Sequence, residues 1–137
     1  MKSRSESLIR LKKFQVDEKR RQLAQIEMMV ADFERMAHEL DQQIEIEHQK
    51  TGISDVAHFA YSTFAKAAMG RRDNLLASAG DMKGKLEAAQ DALAEAVEEL
   101  KKVELLDQRE TGREAAADAK AEQVEYDEMG RIRHIRK

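Results

Sequence analysis

LAQIEMMVADFERMAHELDQQI, residues 23–44, decides the architecture. Its apolar side chains fall at Leu23, Ile26, Val30, Phe33, Ala37, Leu40 and Ile44, in steps that alternate three and four. That spacing is the narrow seam of a coiled coil rather than the broader stripe of a helix in a globular core. Followed backwards, the register passes Lys19, Val16, Lys12 and Ile9, so the seam continues with polar interruptions. Ser3 with Glu6 three residues on fits a capping box and starts this helix near residue 4. Lys50-Thr51-Gly52 ends it near residue 50, with Gly52 suited to the left-handed position that follows a helix. Such a helix is roughly 70 Å long.

A second seam runs Leu75, Ala79, Met82, Leu86, Ala89, Leu93, Ala96, Leu100, Val103. The recurrent alanines let two helices approach closely. Past Val103 it decays through Asp107, Glu110 and Glu114 and returns weakly at Ala117, Ala121 and Val124. Ser54 or Asp55 is a candidate N-cap, so the spacing predicts a second helix from about 55 to 130, after a turn at about 51–54. Bends are expected at Gly70, Gly80, Gly84, Gly112 and Gly130, each worth about 1 kcal/mol relative to Ala. Two seams joined by a short break fold back on each other, because neither helix can bury its stripe alone. The expected fold is all-α: two long helices forming an antiparallel coiled-coil hairpin, a single coiled-coil domain over 1–137 with a basic tail at 131–137. A longer parallel dimer, with Gly52 a local irregularity, is the alternative.

Composition narrows the function. Of the 137 residues 37% are charged and 4% aromatic, with no Pro, Trp or Cys. Good helix formers dominate, which argues against a sheet protein. Without Cys there is no disulfide framework and no thiolate chemistry. The longest apolar run, Met28-Met29-Val30-Ala31, is far short of the roughly 20 residues of a membrane span. The expectation is a soluble, cytoplasmic chain too thin to enclose a substrate.

Charge is segregated. Residues 1–21 carry a net +5 and residues 131–137 a net +4. With −3 overall, residues 22–130 hold −12. In an antiparallel hairpin the two basic segments come to the same end, with the C-terminal one overhanging, and a field of that kind steers the end toward an acidic surface. A solvated, unspecific charge pattern is the plain alternative. Basic-region leucine-zipper chemistry fits poorly, since Glu6, Asp17 and Glu18 interrupt the N-terminal charge and no Asn stands there to read bases.

Residues 53–69 form a second feature. As a helix, Ile53, Val56, Phe59, Ala60, Phe64 and Ala67 share a stripe about a quarter turn from the seam that begins at Leu75. Phe59, Tyr61 and Phe64 are half of the chain's six Phe and Tyr residues. The stripe either covers the hairpin's own tip or docks another protein, since aromatics anchor interfaces.

Chemistry is sparse. Glu45-x-x-His48 has the spacing of a di-iron helix motif, yet Asp55-x-x-His58 is its only near repeat and no closed bundle core is expected. His38-Glu39 lacks the second His of a zinc protease, because Gln42 stands there. No phosphate loop or nucleophile elbow is present, so the chain is read as not an enzyme, with no cofactor and no metal.

Two local patterns carry a resemblance. One is Tyr61-Ser62-Thr63-Phe64 followed by Arg71-Arg72. The other is Lys101-Lys102 with Val103, Leu105 and Leu106, then Asp107-Gln108-Arg109-Glu110, then Tyr126-Asp127-Glu128-Met129 before the basic tail. With the two-helix architecture, the chain resembles the FliJ family of the bacterial flagellar type III export apparatus. Ala68 departs from the larger apolar residue of many relatives, and the first helix matches mainly by periodicity.

The resemblance implies an antiparallel coiled coil similar to the central stalk of rotary ATPases, a soluble accessory and chaperone-escort protein. Its terminal end would enter the export ATPase ring, and it would contact the export gate membrane protein and substrate chaperones. No nucleic acid partner and no direct membrane insertion are implied; the location is cytoplasmic, at the inner membrane through the export apparatus. Carried onto this chain, the ATPase side is Lys12, Lys13, Arg20, Arg21, Arg131, Arg133, Arg136 and Lys137. The gate or chaperone side is Phe59, Tyr61 and Phe64. The competing readings are an injectisome stalk or chaperone and a structural or tethering coiled coil; a gene beside an export ATPase favours the first two over the third.

Overall fold

The computed structural model describes residues 4–135. Helix α1 spans Arg4–Thr51 and helix α2 spans Thr63–Ile135. The described chain is 92% helical, has no strand, and its two helices pack against each other as a hairpin.

The ends of the helices follow local hydrogen-bond chemistry. Ser3, half of the expected capping box, lies outside the described residues. At the other end of α1, Gly52 has φ 73°, a left-handed conformation that a residue with a Cβ adopts only under strain. Its N–H donates to the carbonyl of His48 at 2.8 Å, closing the αL motif that satisfies one of the helix's last carbonyls. Thr51 Oγ1 donates to the Glu47 carbonyl at 3.1 Å.

Helix α2 begins eight residues later than the spacing predicts. Asp55 does not cap a helix; its Oδ1 accepts the N–H of Ala57 at 3.0 Å, forming a side-chain turn instead. Two further turns follow, His58 N–H to Asp55 O and Tyr61 N–H to His58 O. The working cap is Ser62, whose Oγ accepts the N–H of Ala65 at 3.2 Å. The connection is therefore 52–62 rather than 51–54. At its far end α2 passes through the expected tail boundary at 131 and continues to Ile135.

The chain forms two compact units, one of residues 17–95 and one of residues 1–16 with 96–137. In the first, Ala37 and Ile44 of α1 and Ala65, Ala68 and Ala79 of α2 are buried. Arg72 donates to Asp41 across the helices at 2.9 Å. The helices run antiparallel here, since Glu47 meets Ser62 while the earlier Asp41 meets the later Arg72. In the second unit Val16 and Ala96 are buried and Lys12 Nζ donates to Glu99 Oε2 at 2.9 Å.

Every seam position read from Ile9 to Ile44 and from Leu75 to Val103 is buried or half-buried. The seam of α2 also extends backwards through Arg72, Ala68 and Ala65, in phase with Leu75. The core is thin and built mostly from alanine. Small seam residues suit closely approaching helices, and stability comes from a long line of small contacts rather than from a few large side chains.

Candidate functional site

The connection and the first turn of α2 divide the aromatic trio. Tyr61 turns inward and is half-buried. Its hydroxyl lies 2.6 Å from His48 Nε2 and 3.3 Å from Met69 Sδ. The Tyr61 and His48 rings tilt at 59° with centroids 5.5 Å apart. Beside them Ser62 Oγ donates to Glu47 Oε1 at 3.0 Å. These contacts tie the start of α2 to the last turn of α1. Phe59 does the opposite: it is 97% exposed and stacks only on the neighbouring His58 ring. Phe64 is also exposed, at 54%. The single helical stripe expected over 53–69 does not form, because residues 53–62 are turns. Ala67 is exposed, and Ala65 and Ala68 take the buried positions instead.

The basic residues are likewise divided. Lys12 is held by Glu99. Lys13 is exposed and lines a shallow depression on α1 with Glu6, Ile9 and Arg10. Arg20 lies 4.0 Å from Asp17, and Arg21 pairs with Glu18 one turn back. Arg131 and Arg133 are exposed on the last turns of α2. Arg136 and Lys137 lie outside the described residues.

The expected convergence of the two basic ends is not observed. Lys12 sits opposite Glu99, and Arg131 is 32 residues further along the same helix, about 48 Å away at 1.5 Å per residue. Continuing α1 from Lys12 back to Arg4 recovers only about 12 Å of that gap. Arg131 and Arg133 therefore lie beyond the reach of α1 and do not meet its basic residues.

What the overhang presents was visible in the sequence only as a decaying seam. Asp107 is half-buried, and every residue from Gln108 to Arg133 is exposed. Along it lie Val124, Tyr126, Met129 and Ile132, each more than half exposed. Leu8, Leu11 and Phe14 on α1 are exposed as well, lying off the seam. Among the described residues no group of three His, Cys, Asp or Glu could hold a metal. His48, from the Glu45-x-x-His48 spacing, is engaged with Tyr61. No helix among the described residues is long and apolar enough to cross a membrane. The arrangement offers helix surfaces for contact: a lone helical extension with a basic end, and exposed phenylalanines at the hairpin's turn.

No curated protein and no solved structure matches the chain at a significant level. The protein family described as Flagellar FliJ protein matches residues 1–137, the whole chain. With that match across both helices and the connection, the chain belongs to the FliJ family and is a protein of the flagellar type III export apparatus.

Proposed function

We propose that this chain is the cytoplasmic stalk-like accessory protein of the export apparatus, with the free end of α2 entering the export ATPase ring. The observation that supports this is the length of α2 beyond its partner: residues 108–133 are a single exposed helix. A lone helix of about 10–12 Å diameter fits a narrower opening than a helix pair does. Its last turns carry Arg131 and Arg133, and the tail adds Arg136 and Lys137, so an acidic rim would steer the tip inward. Lys12, Lys13, Arg20 and Arg21 are secondary on this reading, because three of the four already have carboxylate partners.

Phe59 and Phe64 form the second contact surface in this proposal, for the export gate or for substrate chaperones. Exposed phenylalanine at a turn supplies anchor area without disturbing the seam. Tyr61 is left out of it, since its hydroxyl is committed to His48. The chain then acts at the inner membrane through its partners.

The test is hydrolysis by the export ATPase with and without this protein. The wild-type chain should raise turnover, and the quadruple variant Arg131→Glu, Arg133→Glu, Arg136→Glu, Lys137→Glu should lose the effect with its helical circular dichroism unchanged. Equal stimulation by the reversed-charge protein defeats the tip assignment.

A further inference from the structure

We infer that, free of other partners, the exposed end of α2 pairs antiparallel with the same segment of a second copy of this chain. The seam continues beyond the reach of α1 in unbroken phase: Val103, Asp107, Glu110, Glu114, Ala117, Ala121, Val124, Glu128, Arg131, in steps of four and three. Residues 108–133 thus carry half of a two-helix seam, fully exposed among the described residues. Its centre is Ala117, Ala121 and Val124, the small-residue chemistry the protein already buries at Ala37, Ala65, Ala68, Ala79 and Ala96.

Charge selects the occupant and its direction. In an antiparallel pair each layer joins the two alternating kinds of seam position, so Ala121 of one copy faces Val124 of the other. This register sets Glu114 opposite Arg131, and by symmetry Arg131 opposite Glu114. On the flank Lys120 meets Asp127, again twice. A parallel, in-register pair sets Glu114 on Glu114, Glu128 on Glu128 and Arg131 on Arg131, repulsive in each layer. The other antiparallel register, Ala121 on Ala117, puts Glu110 on Glu128. Within the described chain Glu114, Lys120 and Arg131 make no ion pair, and Asp127 accepts only a 3.3 Å hydrogen bond from Gln123. The charges needed for the favoured register are available. Asp118 and Glu125 approach each other on the opposite flank, so the dimer is weak and dissociable. It occupies Arg131, which makes it a state of the free chain; it does not depend on the ATPase reading.

The chain has no cysteine, so single introduced thiols report the geometry. Ala121→Cys and Val124→Cys variants, mixed and oxidised, should form a disulfide-linked heterodimer faster than either variant links to itself. In sedimentation equilibrium, Glu114→Arg should weaken self-association about tenfold, the scale of losing two exposed ion pairs for two like-charge contacts. The charge swap Glu114→Arg with Arg131→Glu should restore it. A wild-type chain that stays monomeric at all concentrations overturns the proposal. So does self-linking of each single-Cys variant as fast as the mixture, or a charge swap that fails to restore the dimer.

Discussion

Tyr61 Oη rests 2.6 Å from His48 Nε2, joining the end of the connection to the last turn of α1 across 13 residues of sequence. The same hydroxyl reaches Met69 Sδ, so one phenol touches both helices. Tyr61→Phe keeps the ring and removes only that oxygen. Losing a part-buried hydrogen bond costs about 1 kcal/mol, or about 3–5 °C of melting temperature for a chain of this size. Phe59→Ala and Phe64→Ala remove exposed rings and should leave melting within about 1 °C. Thermal denaturation of the three variants checks the division: a large drop for Phe64→Ala would make it a core residue and withdraw it as a contact.

Arg72 bridges Asp41 on α1 and Asp73 on its own helix. The hydrogen bond to Asp41, then that to Asp73, hold its guanidinium above the ordinary arginine range. On the arginine's side the stabilisation is therefore present below that range and fades as pH rises through it, while acid strong enough to protonate the carboxylates removes it from the other side. Asp41 is half exposed, so water discounts the pair to about 0.5–1 kcal/mol. A double-mutant cycle with Asp41→Asn and Arg72→Met should return a coupling of that size, reduced by added salt.

Ala65 is fully buried against α1 in the unit of residues 17–95. Ala65→Leu inserts bulk where the helices touch and should destabilise by about 1–3 kcal/mol. Ala119→Leu, on the exposed extension, should change urea stability by less than about 0.5 kcal/mol. Comparable losses at both sites would mean that residue 119 is covered.

Two glycines respond in opposite directions. Gly52 sits at φ 73°, so Gly52→Ala forces a left-handed residue and should cost about 1 kcal/mol, although nothing blocks the added methyl. Gly84 is inside α2 with open space around it, and Gly84→Ala should stabilise by up to about 1 kcal/mol. Chemical denaturation of both variants decides the pair.

Amide exchange should separate the length of α2. Residues 65–103 lie on a packed seam, whereas every residue of 108–133 is exposed. In dilute protein the extension should exchange at least about a hundredfold faster, since an isolated helix is marginal in water. Equal protection of both stretches in the monomer would mean that the extension is supported along its length.

Periodicity alone settled which residues face the other helix. Leu23, Ile26, Val30 and Phe33, and Leu86, Ala89 and Leu93, all occupy the seam that their spacing predicts. A seam is a local property: 3.6 residues per turn turn sequence distance directly into direction around the helix. Charge at the two ends was legible on the same terms. Where α2 starts was not, because Asp55 and Ser62 both carry capping chemistry and the choice depends on contacts 13 and 15 residues apart, His48 with Tyr61 and Glu47 with Ser62. That choice turned Tyr61 inward, left Phe59 and Phe64 outside, and set how far α2 outruns α1. Unequal helix lengths, legible in the sequence, already carried Arg131 past the start of α1, while the tertiary register that pairs Lys12 with Glu99 set the distance that remains between the two basic ends.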